Sequence, residues 1–154
     1  VDDSQRFDQW IAQSSARIFL YASMLAGTLG GQAIGIAADV ALGLRALWIP
    51  AIFSVVLEAL AGARAGAVRA GRALTANECL RVSTNYSIGF AAVTLPLAGW
   101  TFVSLRFGDG GARAVASGPG ARWIVADIGF FLAVMVAATF ARAALMRAFS
   151  RRRK

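Results

Sequence analysis

The sequence predicts an all-α fold: an integral membrane four-helix bundle with both termini cytoplasmic and a short N-terminal interfacial amphipathic helix. Three observations carry that prediction. The 154 residues are 58% hydrophobic and 16% charged, with a mean hydropathy of +0.61, whereas a soluble domain carries about 25% charged and about 45–50% apolar residues. The apolar surplus falls into four long runs, more than one small globular core can absorb. The basic residues, finally, gather on one side of those runs.

The elements follow in order. Residues 4–17, with Ile18 directly after them, place Phe7, Trp10, Ile11 and Ile18 at helical spacing, with Asp8, Gln9 and Gln13 on other faces, as in a helix lying at the membrane surface. A transmembrane helix needs about 20 mostly apolar residues, and four runs qualify: 18–38, 48–63, 86–105 and 123–141. The second is short and carries Glu58, the third contains Pro96, and the fourth includes Asp127. Pro96 removes a backbone hydrogen bond and predicts a bend. The connection from 106 to 122 holds Gly108, Gly110, Gly111, Gly118, Pro119 and Gly120 and reads as irregular. With no internal repeat and no linker, residues 1–154 form one expected membrane domain. No run has the layout of a cleavable signal.

Orientation follows from the flanking charges. With the N-terminus inside, the inner side holds Arg6, Arg17, Arg64, Arg69, Arg72, Arg81, Arg142, Arg147, Arg151, Arg152, Arg153 and Lys154, which is 12 of the 16 basic residues. The outer side holds Arg45, Arg106, Arg113 and Arg122. Trp48, Trp100 and Trp123 then all fall toward the outer interface, where an indole buries its ring and keeps its N–H wet. Arg-rich, Ala-rich usage fits a bacterial chain, so the expected location is a bacterial inner membrane, cytoplasmic or intracytoplasmic.

The residue inventory excludes several chemistries. Histidine is absent and Cys79 is the one cysteine, so no axial His ligand, His-containing metal site, internal disulfide or thiolate cluster is available. Neither a matching Cys nor a His accompanies Cys79, which reads as a passive thiol. No catalytic residue, metal ligand or ligated cofactor is expected, and lipids are the expected ligands. Nucleic acid is not an expected partner. The terminal Arg151, Arg152, Arg153 and Lys154 read as a cluster that meets anionic lipid head groups and fixes topology.

Three constellations remain. Gly27, Gly31 and Gly35 recur at four-residue spacing and give span one a bare face for close helix packing. That face serves either another span of the same chain or a partner: another transmembrane subunit, or a second copy. Glu58 is the one carboxylate expected deep in a span, about 15 Å along a helix from Trp48. Such a group is costly unless paired, protonated or hydrated. Two roles are open to it: an ion pair with a nearby arginine such as Arg64, or a proton or cation relay. Asp39 and Asp127 lie near the outer ends of their spans and read as caps. In the inner loop, Thr75 and Glu78 have the spacing of a capping box, which predicts a helix starting at Thr75 and continuing into span three.

The pattern Gly71-Arg72, two residues, then Thr75-x-x-Glu78 resembles the inner loop of a small family of uncharacterised bacterial four-span inner-membrane proteins of similar length. That family usually carries Pro where this chain has Leu74. The resemblance implies a fold and a location rather than an activity. The functional expectation is a non-enzymatic accessory, assembly or stabilising subunit of a larger inner-membrane complex, respiratory or photosynthetic in type. The alternative is a small oligomeric transporter or pore using Glu58. No constellation of nucleophile, base and oxyanion donor can be assembled for an enzyme.

Overall fold

The computed structural model describes residues 5, 7, 9, 12–43, 46, 48–107 and 119–151, with the side chains of 14, 97–107 and 119–127 outside that description. It is all-helical, with four long helices: α1 (Ser14–Leu42), α2 (Trp48–Ala70), α3 (Ala76–Phe107) and α4 (Pro119–Arg151). Among the described residues three stretches, none of them in α3, are long and apolar enough to cross a membrane: Ser15–Leu42, Trp48–Ala70 and Ile128–Arg151. The expected third span, 86–105, falls within α3, which continues through Pro96.

Each helix end has a local cause. α1 stops where Gly43 adopts φ +65°, and its N–H donates to the carbonyls of Asp39 and Val40. A side chain at that φ would meet its own backbone, which is why glycine ends so many helices. The Asp39 carboxylate accepts the Ala46 N–H at 2.8 Å and so ties down the turn into α2. α2 runs seven residues beyond the expected 63, through Arg64 and Arg69, to Ala70. Ala and Arg are strong helix formers, and both arginines are exposed, so nothing in the sequence interrupts the helix until Gly71 turns it at φ +66°. α3 runs to Phe107 and α4 begins at Pro119, earlier than the expected 123; residues 108–118 of the expected irregular connection lie outside the described residues. Proline fits a first helical turn because its missing N–H would be unpaired there in any case.

The chain divides into two compact units. The first comprises Val1–Ser83 and Phe140–Lys154. Its core gathers Leu20 and Met24 from α1, Ala59 and Ala63 from α2, Cys79 and Val82 from α3, and Met146 from α4, all essentially inaccessible. Gly62 sits between the two methionines: a Cβ there would meet Met146 Cε at 3.0 Å and Met24 Sδ at 3.2 Å. Phe7 is buried as well. Trp10 and Ile11 of the expected interfacial helix lie outside the described residues, as do Arg152, Arg153 and Lys154. The second unit is Thr84–Thr139. Within it the hydroxyls of Ser87 and Thr139 share a 2.6 Å hydrogen bond, and Tyr86 stacks on Phe90 with ring centroids 6.0 Å apart.

Candidate functional site

The three glycines place α2 directly against α1. A Cβ built on Gly27 would stand 2.7 Å from the Leu57 carbonyl oxygen. One on Gly31 would stand 2.7 Å from the Phe53 carbonyl carbon, and one on Gly35 would lie 2.9 Å from the Pro50 nitrogen. No real Cβ sits so near another backbone, so the face works because it is bare. It is occupied by α2 of the same chain.

This close approach is what sets Glu58 beside Thr28. The Thr28 hydroxyl lies 2.7 Å from Glu58 Oε1 and 3.2 Å from the Met24 carbonyl. The other carboxylate oxygen, Oε2, accepts the Arg142 Nε–H at 2.6 Å. Glu58 and Arg142 are 3% and 4% exposed, so the pair is shut away from solvent. Ser54, one turn before Glu58, is 2.9 Å from the Pro50 carbonyl and 3.3 Å from that of Thr28, a second link between α1 and α2. A buried carboxylate tolerates its desolvation only with an opposite charge and further donors, and both stand here.

Two expectations change. Arg64 is exposed and lies in a surface groove, away from Glu58. It stands six residues after Glu58, whereas helix neighbours stand three or four apart. The charge that meets Glu58 comes from 84 residues further on. Arg142, counted from sequence only among the inner-side charges, is buried, because α4 continues past it to Arg151 and folds Met146 into the same core.

A second cluster organises the α2–α3 turn. Glu78 Oε2 accepts the Thr75 N–H at 2.7 Å, while Thr75 Oγ1 accepts the Glu78 N–H at 3.3 Å: the reciprocal bonds of a capping box. Arg72 grips both oxygens of the same carboxylate, Nη2 to Oε1 at 2.7 Å and Nη1 to Oε2 at 3.0 Å. Burial works to raise the Glu78 carboxyl, but the bonds from Arg72 and Thr75 together outweigh it and hold the group below its ordinary range. Leu74 fills the space over Gly66, and its N–H donates to Ser150 Oγ near the end of α4. Cys79 is fully buried one residue after the box. Burial, reinforced by the neighbouring Glu78 carboxylate, pushes its thiol up to about 11.

Of the residues singled out from sequence, the structure thus brings together Gly27, Gly31 and Gly35 with the α2 segment ending at Glu58, and separately Thr75 with Glu78. Arg151 lines a groove beside that turn, with Arg72, Ser150 and Gly71. The side chain of Asp127 lies outside the described residues. Sequence reasoning missed Thr28, Ser54 and Arg142. The signal for Arg142 was present: a lone charge set between Ala141 and the apolar run 143–146. Among the described residues no three His, Cys, Asp or Glu side chains cluster as a metal site would need. Compared with family models, curated proteins and solved structures, the chain matches none.

Proposed function

We propose that this chain is a non-enzymatic accessory subunit that assembles or stabilises a larger complex in a bacterial inner membrane, respiratory or photosynthetic in type, with both termini in the cytoplasm. The observation that carries the reading is the state of Glu58. Both its oxygens are engaged, by Arg142 and by Thr28. A carboxylate held this way joins helices; a relay needs an oxygen turned toward a path. The same economy holds elsewhere: among the described residues no buried side-chain nitrogen or oxygen lacks a partner. On this reading the chain ligates no cofactor and binds no nucleic acid. What it offers outward is apolar: Ile18, Leu29, Ile36 and Val40 on α1, and Phe130, Val136 and Phe140 on α4, are each at least half exposed. Lipid tails and neighbouring transmembrane helices match such surfaces.

The test is extraction from native membranes in mild detergent, followed by mass spectrometry of the intact complex. Co-purification with other membrane polypeptides at fixed stoichiometry is expected. Recovery of the chain alone, together with proton-coupled flux in liposomes that Glu58→Gln abolishes, would replace the subunit by a transporter. Orientation is tested separately with a periplasm-active reporter, expected to work at Gly110 and to fail after Lys154.

A further inference from the structure

Near the N-terminal end of α1 and the C-terminal end of α2 lies an open groove of about 750 Å³ whose lining includes Phe19, Ser23, Arg64, Ala65, Val68 and Arg69. Its chemistry is two-sided. The lining is mostly apolar, and both charged residues are arginines. The Arg69 guanidinium carbon stands 5.8 Å from the centre of the Phe19 ring, a cation–π distance that fixes this long side chain at one end. No carboxylate among the described residues pairs with either arginine. The groove of about 620 Å³ beside Gly71 differs on this point: its Arg72 is held by Glu78, and its Ser150 accepts the Leu74 N–H.

Depth adds a second argument. Arg64 and Arg69 follow Trp48 by 16 and 21 residues, or about 24 and 32 Å along the helix. A hydrocarbon core is about 30 Å thick. With Trp48 at one interface, the two guanidinium groups straddle the opposite boundary, at the level of lipid phosphates. Exposed Phe19 and Val68 meanwhile offer a surface for an acyl chain.

We infer that this groove between α1 and α2 binds the phosphate head group of an anionic phospholipid, with an acyl chain against Phe19 and Val68. Guanidinium groups suit the task because their fork of N–H donors matches phosphate oxygens. The site is independent of the subunit reading above and needs only the membrane placement.

Native mass spectrometry of the purified full-length chain in detergent tests it, with dioleoylphosphatidylglycerol, dioleoylphosphatidylcholine and inorganic phosphate as probes. The variants are Arg64→Gln/Arg69→Gln and a charge-matched control, Arg17→Gln/Arg147→Gln, whose residues are exposed and lie outside the groove. Both variants change exposed side chains, and equal melting temperatures establish that both fold. The expected result is retention of phosphatidylglycerol over phosphatidylcholine by the parent and the control. Affinity for phosphatidylglycerol should fall about 25-fold in Arg64→Gln/Arg69→Gln, about fivefold for each basic residue lost near an anionic lipid surface. Equal loss in both variants would reduce the site to overall charge and overturn the proposal. So would retention of both lipids alike, or displacement of the lipid by millimolar inorganic phosphate, which would make the ligand a free anion.

Discussion

Removing the Arg142 guanidinium should destabilise the protein far more than removing the whole ion pair. In Arg142→Met the Glu58 carboxylate stays where it is, 3% exposed, with only the Thr28 hydroxyl beside it. It loses a 2.6 Å charge-assisted bond and keeps its desolvation. Breaking a buried pair in this way costs about 3–5 kcal/mol. In Glu58→Met/Arg142→Met neither charge of this pair remains. Thr28 still has the Met24 carbonyl at 3.2 Å as its acceptor, and two thioether side chains of similar length fill the space, so the double variant should lie within about 2 kcal/mol of the parent. The coupling between the two sites is then about 3 kcal/mol or more, a value a double-mutant cycle measures directly. Reversible unfolding of the four proteins in mixed micelles, followed by helical circular dichroism, supplies the numbers. A coupling below about 1 kcal/mol, the range of exposed pairs, would refute the argument that this contact is dry and structural.

Glycine substitutions should separate the packed face from its neighbours: Gly31→Leu is expected to abolish recovery of folded protein, because even a Cβ collides with the α2 backbone there. Gly30→Ala, whose Cβ would meet only Leu57 Cδ1 at 3.9 Å, should be neutral or stabilising by up to about 1 kcal/mol on helix propensity; both are read by yield and thermal unfolding. The Glu78 cluster predicts a pH dependence. Because the folded-state carboxyl is held below its ordinary value of 4.5, its contribution is complete above that pH and drains away as pH falls through the folded value; amide exchange at the start of α3 should accelerate there, and Glu78→Gln should flatten the response. Cys79, buried and with its thiol pushed to about 11, should resist maleimide at pH 8 in the folded protein and label promptly once unfolded.

Periodicity made some of this architecture legible in the amino-acid sequence, and distance along the chain hid the rest. Four-residue glycine spacing puts Gly27, Gly31 and Gly35 on one face whatever the partner, so the bare face could be read directly. Nothing in that spacing says whether α2 or another chain lies upon it. Thr75 and Glu78 were legible for the same reason, since a capping box closes within a single turn; the bidentate grip of Arg72 requires the positive-φ turn at Gly71 and was not. Helix limits drifted where favourable residues ran on past the apolar core, as at Arg64 and Arg69. The Glu58 partner was read as a near neighbour, yet the residue that meets it lies 84 positions away. Opposite charges that each interrupt an apolar run in different spans are the sign to look for.

That separation also orders events during biosynthesis. The glycine face, Ser54 and the Thr28 hydroxyl, which set Glu58 against α1, are all present once Glu58 has left the ribosome. Arg142 is not. At about 5–20 residues per second the intervening chain takes roughly 4–17 s to synthesise. During that interval the nascent hairpin carries an acid whose counter-ion does not yet exist. Until α4 is made, that carboxylate is satisfied only where water or another donor can reach it.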